Sequence, residues 1–166
     1  MIDKKTKAIY QALEPRTRTE ALTREAFKNI KGEMEHPAID HTACIASTGE
    51  TADKRIAEWC HDLVGDTWVT LPLLRELDFK QHLVQTIDSV TRREGGRYFD
   101  FVDQASLDLL GVRVKIKDNS HNRHQCHELN AEAEGIERRY KRAFVVLKTA
   151  SIKFDHIRSQ YRGNSR

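Results

Sequence analysis

The sequence predicts an all-α protein that ends in a long amphipathic helix. Helix start and stop signals recur along the chain, and apolar residues repeat at helical spacing between them. The repeat is clearest in the last third, where apolar positions alternate in steps of four and three. These positions are Leu129, Ala133, Ile136, Tyr140, Ala143, Leu147, Ala150, Phe154, Ile157 and Tyr161. Further apolar residues between positions 144 and 152 widen the stripe, which suits packing in a helical bundle, or against a second subunit in a homodimer, better than a narrow coiled-coil seam.

Two helix signals stand near the start of the chain. Thr17 and Glu20 form the pattern of a capping box, and Gly32 is a stop signal after an apolar stripe. Together they predict a helix over residues 18 to 31. Pro37 suits the first turn of a helix, where its missing N–H has no cost, and predicts that a second helix begins there.

Three more helices are predicted between residues 52 and 110. The first covers residues 52 to 64 and ends at Gly65. The second begins at Thr70 and ends before the Gly95-Gly96 pair, and the third fits residues 98 to 110.

Residues 112 to 117 allow two interpretations. Apolar and basic residues alternate there, as they do in a half-buried strand. A lone strand needs a partner, and only residues 68 to 71 offer one. Periodicity by itself therefore leaves this stretch undecided.

Length and composition predict a single domain over residues 1–166. Hydrophobic residues make up 39% and charged residues 32% of the 166 residues, which is ordinary for a soluble helical protein. No apolar run is long enough to span a bilayer, and the N-terminus lacks the apolar core of a secretory signal. Three cysteines without paired spacing indicate reduced thiols. We therefore expect a cytoplasmic protein with no membrane partner.

The net charge of +3 conceals an uneven distribution. Residues 128 to 137 carry four acids and no base, whereas residues 138 to 166 carry nine bases and one acid. Acids at the start and bases at the end of one helix complement its dipole. We favour this explanation over a nucleic-acid surface, because basic clustering alone is a weak sign of such binding.

The adjacent pair His61-Asp62 is the first candidate for chemistry. It falls inside the predicted helix that ends at Gly65, where an apolar face would normally be completed by hydrophobic residues. An imidazole nitrogen with a carboxylate oxygen suits manganese, iron, zinc or magnesium. The pair alone is common, so its surroundings decide how it is interpreted.

Those surroundings resemble the HD hydrolase domain of RelA/SpoT proteins and of small stand-alone alarmone hydrolases. Residues 60–74, CHDLVGDTWVTLPLL, resemble the HD motif region of that family. His36-Pro37 resembles its upstream His-Pro, and residues 115–123, KIKDNSHNR, resemble its K-L-A-D-x-x-H-N segment. Residues 87–104, IDSVTRREGGRYFDFVDQ, are similar to the Val-Thr-Arg-Arg stretch and aromatic-rich helix of compact bacterial and phage HD phosphohydrolases. The resemblance spans roughly residues 20 to 147.

The resemblance implies an all-α HD-domain helical bundle with one divalent metal ion. It makes His36, His61, Asp62 and Asp118 the metal ligands, and manganese is the usual ion of the alarmone-hydrolase branch. The implied reaction is metal-dependent hydrolysis of a phosphate or diphosphate ester of a nucleotide. The leading expectation is 3′-pyrophosphohydrolysis of a (p)ppGpp-like or ppApp-like alarmone.

Further residues are expected around the substrate. Asp66 lies four residues after Asp62, which places it near the site as a general base or a water-orienting group. The resemblance assigns Asn122 to nucleotide positioning. Lys28 and Lys31 stand where the family has a basic loop, and Arg123 adds positive potential for a polyphosphate.

One departure from the family pattern concerns the acid before Asp66. The motif usually has Glu-Asp there, whereas this chain has Gly65-Asp66. Three explanations stay open: Asp66 suffices, another acid such as Glu58 or Asp103 substitutes, or turnover is weak. The alternatives are therefore an HD nucleotidase of other specificity, or a nucleotide-sensing or nucleic-acid-binding protein on an HD scaffold.

The remaining histidines are not expected to bind metal. Residues 121–128, HNRHQCHE, contain potential zinc ligands, but on a helix they point in different directions. His41, His82 and His156 are interpreted as surface or core residues.

Overall fold

The computed structural model describes residues 2–30, 37–128 and 134–163. These residues form ten helices and no strand, which confirms the all-α prediction. No helix within them is long and apolar enough to cross a membrane. In chain order the helices are α1 (Lys4–Ala12), α2 (Pro15–Ala26), α3 (Ala38–Ala46), α4 (Ala52–Trp59), α5 (Leu63–Asp66), α6 (Leu71–Glu76), α7 (Gln81–Ser89), α8 (Tyr98–Ala105), α9 (Leu109–Glu128) and α10 (Glu134–Gly163).

Buried apolar side chains form two main clusters with a smaller one between them. The first joins α2 to the helices from α5 to α7 and includes Leu22 and Leu74. The second joins α8, α9 and α10 and includes Val102 and Leu147. A third, where α4, α7 and α9 meet, includes Val114. Because α9 contributes to two of the clusters, it crosses the middle of the bundle.

The alternating stretch at 112 to 117 belongs to α9 and is helical. Val112 and Val114 are buried, but Lys115 is buried as well. Two of its three basic residues pair with buried carboxylates: Lys115 donates to Asp118, and Lys117 pairs with Glu58 on α4. The third, Arg113, is partly exposed. A helix that packs against other helices on several sides can therefore carry the same alternation of apolar and basic residues as a half-buried strand.

The long C-terminal helix is confirmed as α10, which runs back along α9. Arg113 near the start of α9 binds Asp155 near the end of α10 at 2.7 Å. Arg123, farther along α9, lies over the ring of Phe144, nearer the start of α10. The two helices are therefore antiparallel. Among the described residues of the predicted stripe, Tyr140, Ala143 and Leu147 are buried.

Helix α2 begins three residues before the predicted start and ends at Ala26 rather than 31. The Glu14 carboxylate accepts hydrogen bonds from two main-chain N–H groups of the first turn, so Glu14 and not Thr17 caps the helix. Pro15 then occupies the first helical position, where no N–H is needed. Beyond the helix, Asn29 has a φ of 74° in the left-handed region, which prevents helical continuation to residue 31.

The helix predicted over residues 52 to 64 is interrupted. Helix α4 ends at Trp59, and Cys60 has φ −99° and ψ 2°, outside the helical region. His61 and Asp62 therefore lie in a turn between α4 and α5 instead of inside one helix. Gly65 is part of α5 and does not end the preceding helix.

The helix predicted from Thr70 is also two helices. Thr70 is confirmed as an N-cap, because its side chain accepts from the N–H of Leu73. Asp78 has a φ of 58°, and the N–H of Phe79 bonds to the carbonyl of Leu74 at 3.1 Å, so the chain turns there before α7. The helix predicted over 98 to 110 ends at Ala105 as α8, and α9 begins at Leu109.

Candidate metal centre

Four side chains that can bind a metal converge where α3, α9 and the α4–α5 turn meet. They are His41 from α3, His61 and Asp62 from the turn, and Asp118 from α9. One donor atom from each lies within 4.8 Å of the others. His61 and Asp118 are buried, whereas His41 and Asp62 are partly exposed. A ligand can therefore approach from the side of His41 and Asp62.

The spacing of the donor atoms suits a single ion. His41 Nε2 lies 3.2 Å from both His61 Nε2 and Asp118 Oδ1. His61 Nε2 lies 2.9 Å from Asp62 Oδ2. Metal bonds to imidazole nitrogen and carboxylate oxygen of roughly 2.0–2.2 Å place neighbouring ligand atoms about 3 Å apart. Two nitrogens and two carboxylates at this spacing fit a divalent first-row ion.

The backbone orients the ring of His61. Its Nδ1 lies 2.7 Å from the main-chain oxygen of Glu58. Because a carbonyl oxygen only accepts, Nδ1 carries the proton and donates it. The other nitrogen, Nε2, then presents its lone pair to the cluster when the ring is neutral, which is the arrangement a metal ligand needs.

His121 supports His41 in a similar way. Their Nδ1 atoms are 3.0 Å apart, and the rings meet edge to face. If His41 donates from Nδ1, its Nε2 is left to bind a metal, and His121 accepts. Burial and the neighbouring positive charge of His41 lower the pKa of His121, which favours the neutral ring that can accept.

Asp118 is held at both of its oxygens. Lys115 Nζ donates to Oδ2, and Asn122 Nδ2 donates to Oδ1 at 2.8 Å. The ammonium of Lys115 also lies 4.6 Å from the ring centroid of Phe101. These contacts leave the carboxylate little freedom to rotate, so Asp118 is preorganised toward the cluster.

The two carboxylates control protonation within the site. Burial alone would lower the pKa of His61, but the charges of Asp62 and Asp118 raise it to about 9. Burial would raise the pKa of Asp118, but the charge of Lys115 and a hydrogen bond from His41 hold it well below its usual range. An incoming cation must therefore displace the proton of His61, so binding releases a proton.

Asp66 reaches solvent on α5, close to the cluster. Burial of its carboxyl by surrounding protein atoms and the charge of Asp62 raise the pKa of Asp66 to about 6. Such a carboxylate is ionised at neutral pH and is more basic than an ordinary aspartate. It can therefore accept a proton from water more readily.

The structure brings together three of the four predicted ligands: His61, Asp62 and Asp118. The fourth, His36, lies outside the described residues. The structure also places His41 in the cluster, although the sequence pattern assigned it no role as a ligand. A signal was available, because His41 lies one turn before the buried Ile45 and therefore on the inner edge of α3.

The predicted substrate residues are distributed unevenly. Asn122 touches Asp118 and so borders the cluster. Lys28 is exposed, 4.0 Å from Glu25, and Lys31 lies outside the described residues. Arg123 lies over the ring of Phe144, and its buried Nε has no hydrogen-bond partner among the described residues. Their contacts with substrate stay predictions.

The alternative acids lie in different environments. Glu58 is buried, and its Oε1 pairs with Lys117 at 2.9 Å. Asp103 is exposed on α8. Within the potential zinc segment, His121 contacts His41 whereas His124 is exposed, so these two do not join in a separate site. The side chains of residues 126–128 lie outside those described.

Comparison with known proteins identifies the fold. No protein-family model matches the sequence, and neither does any curated protein. Among solved structures, the chain is similar to a metazoan ortholog of SpoT that hydrolyses ppGpp and plays a role in starvation responses, with a TM-score of 0.69 and 14% sequence identity. The match covers 90% of this chain and 96% of that one. The chain therefore has the all-α HD-domain fold of that hydrolase, with a long C-terminal helix.

Proposed function

We propose that this protein is a metal-dependent phosphohydrolase that acts on a nucleotide. The observation that carries the proposal is the convergence of His41, His61, Asp62 and Asp118 on an HD fold. Two imidazoles and two carboxylates form a site for a cation, and a bound cation attracts anionic groups. Lys115 holds one of the two carboxylates, that of Asp118.

The ion we propose is Mn²⁺, which the mixed nitrogen and oxygen donors suit. A bound divalent ion supplies positive charge that polarises a phosphoryl group and lowers the pKa of water. The second histidine ligand has two candidates. His41 has the observed position in the cluster, whereas His36 carries the resemblance to the family's His-Pro.

We assign Asp66 as the group that takes a proton from the attacking water. Its raised pKa of about 6 and its position one turn after Asp62 support this role. We assign Asn122, Lys28, Lys31 and Arg123 to substrate binding. Asn122 has the strongest support, since its amide already lies beside Asp118.

The substrate we propose is an alarmone of the (p)ppGpp or ppApp type, cleaved at its 3′ diphosphate. Two features support it: three segments that resemble motifs of alarmone hydrolases, in the same order, and similarity in fold to a ppGpp hydrolase. In such a reaction water attacks the phosphorus bonded to the 3′ oxygen, and the bond between that phosphorus and the 3′ oxygen breaks. The products are pyrophosphate, which keeps the water oxygen, and a nucleotide whose 3′ oxygen takes up a proton to restore the hydroxyl.

The direct test is Mn²⁺-dependent turnover of a nucleotide panel that includes both alarmones and ordinary mononucleotides. We expect pyrophosphate release from an alarmone by the wild type and none by Asp62→Ala. Asp100→Ala is the matched control, because Asp100 is exposed and pairs with Arg97 on the surface. Metal binding without product from any nucleotide would overturn the enzymatic proposal and favour a nucleotide sensor.

A second experiment decides between the two histidines. Mn²⁺ affinity is measured for His36→Ala and His41→Ala, with His82→Ala as the control. His82 is exposed and pairs with Asp53. The variant of the true ligand loses affinity by tenfold or more, whereas the control keeps the wild-type value. Equal losses in the first two variants would mean that both rings bind the ion.

A further inference from the structure

An ion pair with a buried carboxylate joins helices around the candidate metal centre. Lys117 Nζ on α9 pairs with Glu58 Oε1 on α4 at 2.9 Å, and it also donates to the main-chain oxygen of Ile45 on α3. The Glu58 side chain is 7% exposed and that of Lys117 is 27% exposed. One ammonium group therefore connects three helices.

Helices α3 and α9 supply two of the candidate metal ligands, and α4 leads into the turn that supplies the other two. Each contact of Lys117 lies close to one of these ligands. Ile45 is one turn after His41 on α3. The main-chain oxygen of Glu58 accepts the hydrogen bond that orients His61. Lys117 itself directly precedes Asp118. A movement of any of these helices relative to the others would therefore separate ligand atoms.

We propose that Lys117 and Glu58 are positioning residues that hold α3, α4 and α9 in the relative arrangement required for metal binding. This inference rests on the proposed metal site. Neither residue belongs to the four-ligand cluster, and they act through His41, His61 and Asp118.

The energetics of the pair support a positioning role over a stabilising one. Glu58 Oε2 is buried and has no hydrogen-bond partner among the residues that the structure describes, so the carboxylate is only half satisfied there. Desolvation of a buried ion pair often outweighs its attraction, and apolar replacements of similar volume are commonly neutral or stabilising. The pair is therefore a poor source of stability. Its directional contacts nevertheless specify how the three helices meet.

The expected effect on metal binding follows from the precision that ligands need. Productive sites hold their ligands within about 0.5 Å of the required geometry. Loss of groups that support metal ligands typically weakens metal affinity by about 10-fold to 100-fold. We expect a loss in this range when the pair is removed.

The test compares two double variants. Glu58→Leu with Lys117→Met replaces the pair by apolar side chains and leaves no unpaired charge. Arg113→Met with Asp155→Leu is the control, because it removes an ion pair between α9 and α10. For each protein, the dissociation constant for Mn²⁺ is measured by electron paramagnetic resonance, and the urea midpoint is measured after EDTA treatment.

We expect the first double variant to bind Mn²⁺ about 10-fold to 100-fold more weakly than wild type, with a urea midpoint no lower than that of the control. The control keeps wild-type affinity. Unchanged affinity in a folded Glu58→Leu/Lys117→Met protein overturns the proposal. If that protein does not fold, Glu58→Gln, which keeps the shape without the charge, is measured instead. Weaker binding supports the proposal, and unchanged affinity overturns it.

Failure of the metal site itself is recognised separately. Wild-type protein that does not bind Mn²⁺ overturns both the proposed function and this inference. Wild-type protein that binds Mn²⁺ together with variants of equal affinity overturns only the positioning role.

Discussion

Substituting Gly65→Glu adds a carboxylate beside the candidate metal centre at little structural cost. A Cβ atom on Gly65 meets only Thr91 Cγ2, at a distance of 4.0 Å. The residue is exposed and lies within α5, where glutamate is preferred over glycine by roughly 0.5 kcal/mol. The nearby carboxylates of Asp62 and Asp66 oppose part of this gain. We therefore expect the free energy of unfolding to stay within roughly 0.5 kcal/mol of the wild-type value.

The catalytic effect is much larger than the effect on stability. One acid or base group typically contributes a hundredfold to ten-thousandfold in rate, or about 3–5 kcal/mol of activation free energy. The assay is the initial rate of pyrophosphate release from an alarmone at saturating substrate and Mn²⁺. We expect kcat of Gly65→Glu to exceed that of the wild type by about a hundredfold or more. The reason is that the motif then has the glutamate that is usual in the hydrolases this sequence resembles.

Gly65→Gln is the matched control for this experiment. It has the shape and helix propensity of the glutamate variant but cannot accept a proton, so its kcat should stay near that of wild type. Equal rates for the glutamate and glutamine variants would refute the reasoning. They would show that the rate does not depend on a second carboxylate beside Asp66, or that the chemistry differs from that of the hydrolases this chain resembles.

Three other predictions concern pH, thiols and the core. The raised His61 pKa of about 9, against an ordinary value near 6.5, stabilises EDTA-treated protein by about 3 kcal/mol below pH 6.5. This contribution is lost as pH rises through 9, so the free energy of urea unfolding should be clearly lower at pH 9.5 than at pH 6.5. Equal values at the two pH values would contradict the pairing of a charged His61 with Asp62 and Asp118. Cys44 is exposed whereas Cys60 is buried, and burial raises the pKa of the Cys60 thiol. Peptide mapping after alkylation should therefore find Cys44 modified in the native protein and Cys60 modified only after unfolding. Leu147→Ala removes a fully buried side chain and should lower the free energy of urea unfolding by about 2–5 kcal/mol; a loss below 1 kcal/mol would mean that α10 is not packed as described.

Prediction from sequence succeeded where the signal is local or carried by a motif. Helical periodicity and capping residues correctly predicted an all-α chain with the long C-terminal helix α10. His61, Asp62 and Asp118 were identified through motifs that resemble those of alarmone hydrolases, and the structure brings their donor atoms together. His41 was missed, because no motif marks it and its role depends on what packs against α3.

Helix boundaries and the direction of charged side chains were harder to predict. The turn that carries His61 and Asp62 interrupts a continuous apolar stripe, so spacing alone favours one unbroken helix. Lys115 and Lys117 look like the solvated face of a strand in the sequence. In the fold their partners are buried carboxylates on α9 and α4.

The sequence by itself determined the helical class and three residues of the candidate metal centre, because helix formation depends on near neighbours and motifs are linear. Only the tertiary structure decided that His41 completes the cluster. His41 lies 20 residues from His61 and 77 from Asp118, so their approach depends on how α3, α4 and α9 pack. That packing buries the four side chains to different depths and holds their charges together, which determines the protonation of the site.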